Sequence, residues 1–180
     1  MKGLDVLKGV KIVEQGTFIT GPCTGMMLAD LGADVIKVES PDGDPYRAYQ
    51  GGNYSPHFQA YNRNKRSLAL DLKQAADRAI FETLIRDADV FIQNFRPGTA
   101  DRLGAGAKRL HELNPKLIYC SISGFGADGP YVDRPSYGSV AQALSGFLSV
   151  VVDESRPRFL GPALADAITC GAGRFESHVL

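Results

Sequence analysis

Two rhythms alternate along the chain. Val10 to Glu14 (VKIVE) is a short apolar run rich in β-branched residues and predicts a strand. Gly21-Pro22 then opens a helix through TGMMLADLG, with Gly32 as its stop. Asp34 to Glu39 (DVIKVE) predicts a second strand, and Ser67 to Leu72 (SLALDL), with its clear alternation, a third. Gln74 to Asp87 has helical spacing, with Ala79, Ile80, Leu84 and Ile85 on the apolar face. Asp89 to Asn94 (DVFIQN) is a fourth strand, Ala107 to Asn114 a helix, and Lys116 to Ser123 (KLIYCSIS) a fifth strand. Beyond Pro135 the pattern is helical again (SYGSVAQALSGFLSVV). A turn, DESRPRF, and a small-residue segment, GPALADAITCGAG, follow.

Strands alternating with helices imply an α/β fold: a Rossmann-like, mostly parallel sheet with helices on both faces. Ligands of such sheets bind beyond the carboxyl ends of the strands. Those ends fall at Glu14 to Gly21, Glu39 to Pro45, Asn94 to Gly98 (NFRPG) and Gly124 to Gly129. The stretch from Asp42 to Asn64 has little periodicity and holds four tyrosines, which predicts a long surface excursion.

Composition narrows the function classes. The chain has 180 residues, 44% hydrophobic and 22% charged, which is ordinary for a water-soluble domain. Lys plus Arg equals Asp plus Glu, 20 each, so no broad nucleic-acid footprint is expected. Cys23, Cys120 and Cys170 are widely spaced and odd in number, forming neither a disulfide framework nor a metal pattern. Reduced thiols, no signal-like apolar run at the start and no membrane-length segment predict a cytoplasmic protein with no membrane contact.

Candidate chemistry lies at the strand ends. Lys65, Arg66, Lys73, Arg96 and Arg102 sit at or just past them, and read either as a basic rim for a phosphate-bearing ligand or as ordinary solvated charge. Neither G-x-G-x-x-G after the first strand nor a P-loop is present. His57, His111 and His178 have no metal spacing, so no metal site is expected. Asp166 stands among small residues in GPALADAITCGAG. From spacing alone, helix capping is the more economical reading. Covalent attack on a thioester is the other.

Seven blocks, in order, change that balance: LKGVKIVEQG, GP-x-x-x-x-MLADLGADVIKVE, NRNKRSLALDLK, ADVFIQNFRPG, NPKLIYCSISGFGADGPY, RPSYGSVAQALSGF and GPALADAITCG. Together they resemble the family III CoA-transferases, the CaiB/BaiF group that includes formyl-CoA transferase, carnitine CoA-transferase and α-methylacyl-CoA racemase. The resemblance implies a Rossmann-like large domain, a smaller second domain and an interlocked homodimer. It implies Asp166 as the nucleophile of an acyl-CoA:carboxylate CoA-transferase, acting through a mixed anhydride and an aspartyl-CoA thioester. The partners would be an acyl-CoA and a carboxylic acid, with coenzyme A as substrate and no tightly bound cofactor. CoA contacts carry over to Phe18, Ile19, Leu70, Asp71, Leu72, Lys73, Asn94, Phe95, Arg96, Arg102 and Tyr137, with Lys73, Arg96 and Arg102 on the phosphates and Tyr137 near the thioester.

The chain departs from the family pattern at three positions. Ser40 stands where many relatives carry arginine, Ile19 where formyl-CoA transferase has glutamine, and Tyr137 where the racemase branch uses histidine. Racemisation needs a base opposite the nucleophile, so transfer is preferred to 2-methylacyl-CoA racemase or epimerase chemistry. Family members are also much longer. Residues 1–180 are therefore expected to be the N-terminal part of the CoA-binding large domain, with the second domain and the C-terminal return absent. The remaining alternative is a truncated, non-catalytic CoA-binding fragment.

Overall fold

Parity along each strand decides which face of the sheet a side chain covers. The computed structural model describes residues 5–49, 54–153, 155–156 and 163–173. Five strands, β1 (Lys11–Gln15), β2 (Asp34–Glu39), β3 (Lys65–Ala69), β4 (Val90–Gln93) and β5 (Ile118–Ser121), form one sheet in the order β3-β2-β1-β4-β5. All four pairings are parallel, so the sheet is wholly rather than mostly parallel among the described residues. The order reverses between β1 and β4, which opens a crevice at their carboxyl ends.

The helices are α1 (Thr20–Asp30), α2 (Pro56–Asn62), α3 (Ala75–Arg86), α4 (Thr99–Arg102), α5 (Ala107–Leu113), α6 (Gly138–Leu144), α7 (Phe147–Val151) and α8 (Leu164–Gly173). On one face, Val13, Val38 and Phe91 pack with Phe81 and Ile85 of α3 and Leu110 of α5. On the other, Ile12, Val35, Ile92 and Cys120 pack with Ala29 of α1. Beyond α1 lies a further layer, with α8 on α1 and α6 on α8. Among the described residues no helix is long and apolar enough to cross a membrane.

Three expectations shift. The third strand runs from Lys65 to Ala69, not from Ser67 to Leu72. Leu70 and Leu72 keep the alternation and remain buried, but beyond Leu70, whose N–H still bonds the Glu39 carbonyl, the ladder has ended. The inward face of α3 is Phe81 and Ile85, with Leu84 at its margin, whereas Ala79 and Ile80 are exposed. Phe81 and Ile85 are one turn apart and align with Ala88 below them, a row that Ile80 misses. The stretch from Asp42 to Asn64 is more ordered than its pattern suggests. A 3₁₀ turn (Pro45–Ala48), N-capped by the Asp44 carboxylate, and α2, N-capped by the Ser55 hydroxyl, give it regular structure. Edge-on contacts of Tyr46 with Phe18 and His57, and Arg47 stacked 3.9 Å over the Phe58 ring, pack it.

The helical run after Pro135 is divided by Gly146, whose φ of 79° ends α6 before α7 begins. Of the expected DESRPRF turn, Glu154 and residues 157–159 lie outside the described residues, as do residues 161–162 of the small-residue segment.

The two faces of α3 give a direct test. Phe81→Ala is expected to cost about 3–5 kcal/mol in urea denaturation, whereas Ile80→Ala stays within about 0.5 kcal/mol. Equal losses would contradict the packing described.

Candidate functional site

Charged residues inside otherwise apolar strands need partners. Glu14 of β1 and Lys37 of β2 are aligned across the sheet and both fully buried. Lys37 Nζ donates to the Gly16 carbonyl at 2.7 Å, lies 3.2 Å from Glu14 Oε1 and 3.0 Å from Asp44 Oδ2. Lys65 Nζ, from β3, donates to Glu14 Oε2 at 2.8 Å, the Pro22 carbonyl at 2.6 Å and Asn62 Oδ1 at 3.0 Å. Burial alone would raise the Glu14 carboxyl, but the two ammonium groups bring it below its usual range. Burial likewise lowers Lys65. Lys37 is opposed by burial too, yet Glu14 and Asp44 hold it above its ordinary value.

This layer shapes the loop after β1. The Gly16 N–H bonds Glu14 Oε1 at 2.8 Å, and a Cβ on Gly16 would stand 2.9 Å from the Gly21 Cα. Only glycine permits that approach of the loop to the start of α1. Asn94, just past β4, closes the crevice: its amide accepts from Thr17 N–H and donates to the Thr17 carbonyl and Thr20 Oγ1, each at 2.8 Å. Between these anchors Phe18 adopts φ 60°, a left-handed conformation uncommon outside glycine, with its N–H 3.3 Å from Asp44 Oδ1.

Beside the loop lies a cleft of about 310 Å³ walled by Val38, Leu70, Leu72, Phe95 and Leu103, with Lys73, Asp71, Ser40 and Asp42 at its edge. Glu39, also in its lining, is spent internally on Arg47 at 2.6 and 2.7 Å, on the Ser67 hydroxyl and on the Asp44 N–H. Burial opposes its ionisation, yet these donors bring its pKa down to about 2. A second cleft of about 80 Å³ opens between the ends of β4 and β5, lined by Asn94, Phe95, Arg96, Ser123, Arg134 and Ser136.

Asp166 sits in the first turn of α8, half-buried, and burial raises its carboxyl above the usual value. A Cβ on Gly138 would lie 2.2 Å from Asp166 Oδ2, so the carboxylate rests against the bare backbone at the start of α6. The Tyr46 and Tyr61 hydroxyls are close enough to feel its charge. Behind it, Cys170 Sγ lies 2.9 Å from the Asp166 carbonyl oxygen.

The structure therefore groups some expected residues and separates others. Leu70, Asp71, Leu72, Lys73 and Phe95 share the larger cleft, while Asn94 and Arg96 face the smaller one, which Phe95 also borders. Phe18, Ile19, Arg102 and Tyr137 line neither. Phe18 and Ile19 sit in the β1 loop, Arg102 donates to Thr99 Oγ1 at 2.9 Å, and Tyr137 stands 73% exposed beside Gly138. The five cations do not form one rim. Lys65 is buried on Glu14, and Arg66 pairs with Asp34 at the amino ends of the strands. Strand β3 starts at Lys65, so both belong to its beginning. Glu14, Lys37, Asp44 and Arg134 escaped the sequence reading. The signal for Glu14 and Lys37 was a charge set inside β-branched runs (VKIVE, DVIKVE), where it has no solvent; Asp44 and Arg134 carry no such local signal.

Comparison with known proteins extends this picture. The model of CoA-transferase family III matches residues 7–174. A succinate–glutarate CoA-transferase of Agrobacterium fabrum is 43% identical over 174 residues, covering 91% of this chain and 44% of that protein. A succinyl-CoA–D-citramalate CoA-transferase of Chloroflexus aurantiacus is 38% identical, covering 90% and 42%. The crystal structure of a CaiB/BaiF family protein from Brucella suis superposes with a TM-score of 0.89 at 39% identity, covering 95% of this chain and 47% of that one. The chain thus spans less than half the length of each of these relatives.

Two measurements test the charged layer. Glu14→Ala strands two buried ammonium groups and is expected to cost about 3–5 kcal/mol; a loss below about 1 kcal/mol in urea titration would contradict it. Because Glu39 falls from 4.5 to about 2 on folding, its stabilisation is complete above pH 4.5 and fades as pH drops towards 2. The stability gap between wild type and Glu39→Gln should close across that window, and a constant gap would refute the assignment.

Proposed function

The chain belongs to CoA-transferase family III, and on that premise we propose that it forms the N-terminal part of the CoA-binding large domain of an enzyme moving coenzyme A from an acyl-CoA to a carboxylic acid. The observation that carries this reading is the half-buried Asp166 carboxylate, set against the side-chain-free Gly138. A carboxylate that burial makes more basic is also more nucleophilic, and Gly138 leaves room for a thioester carbonyl beside it.

Asp166 attacks that carbonyl, forming an aspartyl mixed anhydride and releasing CoA thiolate. The thiolate attacks the aspartyl carbonyl, expels the first acid and leaves an aspartyl-CoA thioester. The incoming carboxylate then repeats the exchange in reverse and regenerates Asp166. The CoA nucleotide occupies the larger cleft, with its base against Leu70, Leu72 and Phe95 and a phosphate on Lys73. Arg96 and Arg102 serve the remaining phosphates. Asn94 and Phe18 act through the backbone of the loops they hold, since the Asn94 amide is already bonded to Thr17 and Thr20. Tyr137, exposed next to Gly138, borders the thioester. The complete enzyme works in the cytoplasm as an interlocked homodimer. The transfer activities of the named relatives favour transfer over racemisation.

Trapping tests the role of Asp166. Incubation with an acyl-CoA followed by hydroxylamine should leave a hydroxamate on Asp166, read by peptide mass spectrometry, and folded Asp166→Ala should leave none. The acid limb of labelling should lie above pH 3.8, because burial raises this carboxyl. The same adduct in both proteins would sink the proposal.

A further inference from the structure

The nucleophile helix is held to the sheet layer at a point where two cysteines lie close together. Cys23 lies in the first turn of α1 and is partly exposed, whereas Cys170, on α8, is 1% exposed. The two elements pack directly on each other, and Thr24, next to Cys23, points its hydroxyl at the Cys170 carbonyl at 3.4 Å. One backbone oxygen joins both cysteines. The Ile19 carbonyl accepts the Cys23 N–H at 2.7 Å, and Cys170 Sγ lies 4.0 Å from it. Cys170 Sγ thus lies beside the backbone that carries Cys23, and each thiol perturbs the titration of the other. They belong to segments 147 positions apart by sequence number (170 − 23).

We propose that Cys23 and Cys170 are a peroxide-reactive thiol pair that closes to an intramolecular disulfide, fastening α8 to α1. Proximity of a partly exposed sulfur and a buried one, across the shared Ile19 carbonyl, supplies the two roles such a reaction needs, an attacking thiolate and a resolving thiol. The neighbouring Cys170 favours the Cys23 thiolate, burial opposes it, and Lys65 and Arg63 add positive charge, so that its pKa falls to about 7. Tyr61 also lies close to both thiols, and Asp166 close to Cys170.

The chemistry balances with hydrogen peroxide or an organic hydroperoxide as oxidant. Cys23 thiolate attacks one peroxide oxygen. An S–O bond forms, the O–O bond breaks, and water or an alcohol leaves after protonation. Cys170 then gives up its proton and attacks the sulfenyl sulfur of Cys23. The S–S bond forms, the S–O bond breaks, and a second water leaves. Two thiols are oxidised by two electrons in total, and one peroxide is reduced. A dithiol reverses the reaction by exchange. Closure also removes the S–H that Cys170 holds 2.9 Å from the Asp166 carbonyl. The link itself does not depend on what Asp166 does.

The test uses the full chain, treated with hydrogen peroxide under native conditions and then alkylated. Peptide mass spectrometry should find one intramolecular cross-link, Cys23 to Cys170, removed by dithiothreitol, while Cys120, 6% exposed, stays reduced. In Cys170→Ser the resolving thiol is gone, so Cys23 should accumulate as a sulfenic acid captured by a 1,3-diketone probe. Hydrogen exchange across residues 164–173 should slow at least several-fold on oxidation. A link through Cys120, links only between molecules, both thiols still fully alkylated, or unchanged exchange in α8 would each overturn the proposal.

Discussion

Everything around the crevice rests on one arrangement: two acids and two lysines buried together beneath the first helix. Removing a single ion from water costs several kcal/mol even after the protein relaxes. Glu14 therefore cannot stay charged unless Lys37 and Lys65 reach it, and Lys37 cannot stay charged unless Asp44 closes its other side. Those partners come from three neighbouring strands and from the loop after β2. The remaining donors and acceptors include backbone atoms of the β1 loop and of α1, and the Asn62 side chain of α2. The cost of leaving any charge alone thus becomes a positional demand on each loop that borders the cleft. A well-packed apolar substitute would hold the strands together but would not dictate where Gly16, Pro22 and Asp44 sit.

Strand and helix order was legible because it depends on local periodicity. VKIVE, DVIKVE and DVFIQN carry enough β-branched and apolar residues to announce strands, and Gly32 marks a real helix end, whereas the break at Gly146 inside the last helical run was not read. The misplaced third strand has a different origin. Leu68, Leu70 and Leu72 alternate as a strand would, but pairing with β2 ends at Glu39, whose carbonyl takes the Leu70 N–H as its last bond, and sequence does not reveal the length of a neighbour. The inner face of α3 was misjudged because Ile80 is apolar yet exposed, off the row that Phe81 and Ile85 bury.

The candidate site divides the same way. Asp166 and the NFRPG turn stood out in the sequence itself, ordered family blocks then gave Asp166 its expected role, and Lys73 and Phe95 do border a cleft. Lys65 and Arg66 show the limit of reading charge by position. Both sit in an NRNKRS run that looks like a cationic rim, yet one is sealed under α1 and the other pairs with Asp34. Burial of a lysine depends on a glutamate 51 residues earlier, which no local window contains. Phe18's left-handed backbone is equally invisible, since it comes from a clamp by Asn94 and Asp44 rather than from any turn-forming residue.

Helix α1 touches β1, β2 and β4 on its inner side and α2 and α8 on its outer side. The cleft is framed by the sheet, whereas Asp166 rides on α8, one layer further out. Under the proposed reading, one long ligand is gripped at its two ends by parts that both rest on this beam. The lean of α1 then works as a ruler. A small change in how it lies on the strands would lengthen or shorten the span between the nucleotide cradle and the reacting carbonyl, while leaving each grip intact.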